Sequence, residues 1–214
     1  MPLTQAYIAS KIAELGQTYG HAGEFCFFTD ISNLPAIFSS GRLLPRSVVL
    51  ANGALRHDCA SPTVLDKTPP WIHERVRLYF APATPMLFPI EGIKRAQDEW
   101  PECPQPAYLV FDPQILTING VRVSDGNMGS SYSSSGEATD GYFDTLPFEG
   151  IYHRGPLRKD PESVAIYGFD PSVKDATRKR QAEVLVPEEL PLTWLRKMVF
   201  RSQAEHDLAL TLIG

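Results

Sequence analysis

Tyr7, Ile8, Ile12 and Leu15 recur at helical spacing in MPLTQAYIASKIAELG, which predicts an amphipathic helix at the start of the chain. Phe25-Cys26-Phe27-Phe28-Thr29 then reads as a short strand. Ile31, Leu34, Ile37 and Phe38 return to helical spacing, with Asp30 or Ser32 as the cap and Gly41 as the stop. From Arg42 to Pro70 turn formers mix with weak periodicity, so a long, partly mobile segment is expected. Val76–Phe80 and Ala107–Phe111 are strands, Gly120–Val123 lies near a further one, and Met86–Phe88 with Ile90 and Ile93 suggests a buried turn or short helix. Ser124–Gly141 is rich in Gly and Ser and reads as a flexible loop inside a domain, more a lid or binding loop than a linker. Ala182–Val186 and Lys197–Phe200 are strands, and Ser202 caps a last helix through Ile213. Short strands, few long helices and long connections together predict an α+β fold, and residues 1–214 are read as one domain.

Composition narrows the class without naming it. The 214 residues are 43% hydrophobic and 21% charged, an ordinary globular balance. No apolar run reaches membrane-spanning length, and the N-terminus lacks the basic start and apolar stretch of a secretory signal. Cys26, Cys59 and Cys103 show no CxxC or Cys/His spacing, which argues against a disulfide framework or a zinc site and for a reducing, cytoplasmic compartment. His21, His57, His73, His153 and His206 have no metal-binding spacing either, so no metal is expected. A formal net charge of −5 speaks against non-specific coating of nucleic acid, but a local basic groove depends on the field at the site. GxxxxGK[ST], GxGxxG and GxSxG are all missing, which removes P-loop, Rossmann and serine-hydrolase readings.

Two features carry chemistry. In Arg180-Gln181-Ala182-Glu183-Val184-Leu185-Val186, strand alternation puts Gln181, Glu183 and Leu185 on one face. A carboxylate among apolar strand residues is partly desolvated, which tends to raise its pKa and suits a catalytic role. The same pattern fits a glutamate on the wet face of an edge strand. The second feature is the group around Val76–Phe80, where Arg75, Arg77 and Tyr79 share a face. Arginine forks match phosphates, and aromatic faces match a nicotinamide, an adenine or an unstacked base. A solvated strand face with Tyr79 in the core accounts for it equally.

Three blocks in order, FFTDISNLPAIFSSGRLL, VRLYFAPATPMLF and RQAEVLVPEELPLTWLRKMVFRS, resemble the DarT-type DNA ADP-ribosyltransferase toxins from about Phe25 to the end. The resemblance implies an ADP-ribosyltransferase-like fold, with a central split sheet of short strands flanked by helices and long loops. It also implies NAD as ADP-ribose donor, a base in single-stranded DNA as acceptor, and a macrodomain antitoxin of the DarG type that reverses the mark; the chain itself is expected to be a monomer. Glu91-Gly92-Ile93, Ser124-Asp125-Gly126-Asn127 and Leu146-Pro147-Phe148 look closer to a guanine-modifying branch than to the thymidine branch. By position, Glu183 would be the catalytic carboxylate, and Thr29, Asn33, Leu34, Tyr79, Phe80 and Met86 would line the NAD pocket. Arg75, Arg77, Arg180 and Gln181 would contact the acceptor strand. The chain departs from the family pattern at Phe27, where many members have His, and in Asp58–Thr68, which holds Lys67 but no arginine. Arg46 or Arg56 would then substitute, Arg46 being taken as the catalytic one. Rival readings are an ADP-ribosyltransferase acting on RNA or protein, and a non-catalytic nucleic-acid-binding module on the same fold.

Overall fold

The computed structural model describes residues 1–20, 22–81, 84, 85, 90, 101–152 and 175–214. Helix α1 (Gln5–Tyr19) starts where the Thr4 hydroxyl accepts from the Tyr7 N–H and ends at Gly20, whose φ of 80° suits glycine. It buries Ile8 and Leu15, as the apolar spacing predicts. Strand β1 (Phe25–Asp30) runs into a 3₁₀ turn at Ile31–Asn33, capped by the Asp30 carboxylate, and then into α2 (Leu34–Ser40). The split of the expected single helix has a cause: Pro35 has no N–H to donate, so it sits only in the first turn of the α-helical part.

Strand β2 (Arg42–Leu43) follows, then α3 (Arg46–Ala51), α4 (Pro62–Leu65) and α5 (Pro70–His73). The segment from Arg42 to Pro70, expected to be loosely organised, therefore holds β2 and two short helices, and α5 begins at its end. Beyond it come β3 (Arg75–Tyr79), β4 (Pro106–Phe111), a 3₁₀ turn at Pro113–Thr117 and β5 (Arg122–Ser124). The Gly/Ser stretch is corrected too: Ser135–Glu137 is strand β6, closing a hairpin with β5. Composition hides this strand because its middle residue, Gly136, lies under the Tyr142 ring, where a Cβ would come within 2.6 Å. The chain ends with α6 (Asp140–Phe143), α7 (Phe148–Ile151), α8 (Ala176–Lys179), β7 (Glu183–Pro187), β8 (Leu190–Pro191), β9 (Leu195–Val199) and α9 (Gln203–Ile213), the last capped by Ser202 as expected.

Seven strands form one antiparallel sheet in the order β6-β5-β7-β3-β1-β4-β9, while β2 and β8 pair separately. Neighbours β3 and β7 match over five positions and β1 and β4 over six, but β1 and β3 match only at Cys26 and Tyr79. The sheet is thus split between β1 and β3, as the resemblance implies. Alternation sorts the strands by face. Val76, Leu78, Phe80, Ala182, Val184 and Val186 enter the main core with Phe25, Leu109, Phe111 and Leu34. On the other face Leu185 packs with Ile72 and Met128 in a small separate cluster. Among the described residues no helix is long and apolar enough to cross a membrane.

Candidate active site

The split opens a cleft. Phe27, Phe28 and Thr29 of β1 form one wall, and Arg75, Val76, Arg77 and Tyr79 of β3 form the other. The stretch from α3 to α4, with Arg46, His57, Asp58 and Cys59, closes the far side. The empty space is about 960 Å³ counting the open mouth. Phe28 and Tyr79 stack across the split, with ring centroids 5.9 Å apart. Burial pushes the Tyr79 hydroxyl well above its ordinary pKa; Arg77 opposes that shift and Glu183 adds to it, so the ring stays a neutral phenol.

Glu183 lies on the same sheet face, directly opposite Tyr79 in register. Its side chain is completely buried. Arg77 donates from Nε to Oε2 and from Nη2 to Oε1, both at 2.8 Å, and the Met128 N–H donates to Oε1 at 3.1 Å. A buried carboxylate is tolerable with that supply of donors, two of them from a cation in a planar fork. Arg77 keeps 19% of its side-chain surface open. Burial works against its charge, but the attraction and hydrogen bonds of Glu183 outweigh that and raise its pKa further. From the far side, the Glu183 N–H donates to Ser124 Oγ at 2.9 Å, and that hydroxyl donates to the Gly126 carbonyl. Residues 124–128, read from composition as part of a flexible loop, therefore cradle the glutamate. No sequence spacing announces this, because the partners lie 55 and 59 positions away.

The other predicted residues distribute as follows. Thr29, Tyr79, Arg75, Arg77 and Arg46 line the cleft. Arg46 forms a two-point ion pair with Asp58, its Nη1 lying 2.6 Å from Oδ1. Burial disfavours the charged Asp58, yet the Arg46 bonds and the Ala60 N–H hold its pKa below the ordinary value. Arg56 is exposed and outside the lining. Gln181 accepts from Asn127 Nδ2 at 2.8 Å, and burial lowers the pKa of Arg180 next to it. Leu34 and Phe80 sit in the main core. Met86 lies outside the described residues, as do residues 91–93 of the branch-specific segments. Phe27, at the departure from the family pattern, is on the cleft wall.

Asn33 does work that its sequence context does not reveal. It is buried, and its Nδ2 donates to Thr29 Oγ1 at 2.9 Å and to the His57 carbonyl at 2.7 Å. Its Oδ1 accepts from the N–H groups of Arg56 and His57. One carboxamide thus ties the wall at 56–58 to the end of β1. Replacing Asn33 by Ala is expected to cost about 1–3 kcal/mol through the buried groups it strands. Trypsin should then cut after Arg56 much faster than in the parent protein; equal cleavage rates would show that the tie does not hold this wall.

A family model described as "ssDNA thymidine ADP-ribosyltransferase, DarT" matches residues 26–214. No curated protein matches the chain in sequence. Among solved structures, Thermus sp. 2.9 DarT in complex with NAD+ is 21% identical, with a TM-score of 0.65 over 91% of this chain and 90% of that one. The same protein in complex with ADP-ribosylated ssDNA is 20% identical, with a TM-score of 0.67 over 91% and 89%. Thermosipho africanus DarTG in complex with ADP-ribose is 16% identical, with a TM-score of 0.68 over 89% of this chain and 47% of that longer one. With the family model matching residues 26–214, from β1 to the last residue, the protein belongs to the DarT family of single-stranded-DNA ADP-ribosyltransferases.

Proposed function

We propose that this protein transfers ADP-ribose from NAD to a base of single-stranded DNA, with Glu183 as the catalytic carboxylate. The observation that carries the reading is Glu183 itself, buried beside the split-sheet cleft and aimed by Arg77 and the Met128 N–H. Fit to the dinucleotide rests on the cleft's own chemistry: the Phe28–Tyr79 stack for a flat ring, and Arg77 and Arg46 for phosphates. NAD supplies the ADP-ribosyl group, whose bond to nicotinamide breaks as positive charge develops on the ribose. Glu183 stabilises that charge more in the transition state than in the ground state. It then accepts the proton of the attacking base nitrogen, a role commonly worth about 10²–10⁴ in rate. Arg77 lines the cleft and pairs with the carboxylate, so it is the cation proposed to meet a diphosphate there. Swinging onto that diphosphate, it uncovers Glu183. Arg46, on the far side of the cleft, is the second cation, held by Asp58.

The acceptor has to be unpaired, because the nitrogens used in base pairing are blocked in a duplex. The loop segment 125–134 and the stretch 56–70 are its proposed walls, and Arg180 and Gln181 complete them. The sequence reading favours guanine, whereas the matched family is described by thymidine. We further propose that residues 1–214 act as a single-domain monomer in the cytoplasm, as the toxin of a pair whose macrodomain antitoxin reverses the mark. The decisive experiment incubates the protein with NAD and short oligonucleotides, DNA and RNA, each carrying one type of reactive base. Mass spectrometry should find an ADP-ribose adduct on single-stranded DNA and on one base only. Adducts confined to RNA or to added protein would overturn the acceptor class.

A further inference from the structure

Trp71 on α5 keeps 38% of its surface exposed, unusual for so large an apolar side chain. The guanidinium carbons of Arg75 and Arg122 each lie 5.7 Å from the centroid of its indole ring. Two like charges share one aromatic platform, in a chain whose net charge is −5. Neighbouring arginines are neutralised: Arg77 by Glu183, Arg178 by Asp125. Among the described residues, Arg75 and Arg122 form no ion pair. Arg75 donates to the Gly120 carbonyl and Arg122 to the Ser135 carbonyl, both at 2.8 Å, while Arg122 Nε is buried without a partner. Burial and the nearby Arg122 depress the pKa of Arg75, and Glu74 only partly opposes them. The arrangement is held against its own repulsion, and an anion is the ligand that relieves it.

Register places the pair. Arg122 is opposite Leu185, and Leu185 is opposite Arg77, so the three form a row across β5, β7 and β3 on the face that carries Glu183. Two strand spacings, about 10 Å, separate the ends of that row. Arg75 belongs to the cleft lining, whereas Trp71 and Arg122 lie outside it, Arg122 on the β5–β6 hairpin opposite Glu137. An anion here is next to the reaction chamber and outside it.

We infer that Arg75 and Arg122, oriented by Trp71, bind a backbone phosphodiester of the acceptor strand, next to the nucleotide presented to Glu183. This rests on the proposed single-stranded-DNA acceptor and adds a site for its phosphate, at which Arg122 and Trp71 act as positioning residues. The alternative source of the same chemistry is the diphosphate of NAD, and the test separates the two. Binding of a short fluorescent oligodeoxynucleotide and of NAD is measured for the parent, Arg122→Gln, Arg122→Lys, Trp71→Ala and Trp71→Phe proteins, each checked by its melting temperature. Arg122→Gln should weaken DNA binding about tenfold or more. It should also reduce the slope of log affinity against log salt by about 0.7, with NAD affinity unchanged. Arg122→Lys should restore the slope but not the full affinity, since a point charge lacks the planar fork. Trp71→Ala should weaken DNA binding between about twofold and thirtyfold, and Trp71→Phe should recover most of it. Unchanged DNA binding by Arg122→Gln, or a loss confined to NAD, overturns the inference while the proposed activity stands. A parent protein that binds NAD but no DNA overturns both.

Discussion

Glu183→Gln should leave a folded protein that binds NAD and transfers no measurable ADP-ribose to single-stranded oligonucleotides. The expectation follows from what the amide keeps and loses. A Gln carbonyl can still accept from the Met128 N–H and from one arm of Arg77, so the cradle of Ser124, Gly126 and Met128 remains occupied. What disappears is the negative charge and the proton acceptor on which the proposed mechanism depends. Electrostatic stabilisation of this kind is usually the largest single term in catalysis, and removing one such donor or charge commonly lowers the rate 10²–10³-fold. Labelled-NAD transfer, run beside circular dichroism and NAD titration, reads all three properties. Undiminished labelling by a folded Glu183→Gln protein removes this carboxylate from the mechanism.

The second large effect is an asymmetry in stability. Arg77→Ala should destabilise the protein far more than Glu183→Ala, although each removes one member of the same ion pair. Removing the arginine leaves a wholly buried carboxylate with a single backbone donor. An unpaired buried charge of that sort typically costs about 3–5 kcal/mol. Removing the glutamate instead leaves a guanidinium with 19% of its side chain open to the cleft, where water can reach it. The loss should then be about 1–3 kcal/mol, the range for buried groups deprived of a hydrogen-bond partner. Urea titration with unchanged m-values measures both. Equal losses, or a larger one for Glu183→Ala, would mean the carboxylate is better hydrated than its burial implies.

How much of this was legible beforehand depended on the range of the interactions. Helix α1, strands β1, β3, β4 and β7, and helix α9 are written in local apolar spacing and capping residues such as Thr4 and Ser202, which act within a turn or two. The faces of β3 and β7 also follow from alternation alone, which groups Arg75, Arg77 and Tyr79 on one face of β3 and Glu183 with Leu185 on one face of β7 before any pairing is known. Strand β6 escaped because packing of Gly136 under Tyr142, and not propensity, decides its conformation. Asn33 stands in a block that resembles the family by position. Its partners at residues 56 and 57, however, are set by tertiary contact. The Arg77–Glu183 pair spans 106 positions and has no local signature at all.

The single rung between β1 and β3 has a mechanical meaning. The sheet is two rafts, of four strands and three, moored to each other at Cys26 and Tyr79. A molecule lodged between them and gripping both sides supplies crosslinks that the polypeptide itself leaves out. Occupancy of the gap should therefore stabilise the whole protein by an amount that grows with the logarithm of ligand concentration over its dissociation constant, so that a bound substrate completes a scaffold the chain leaves open.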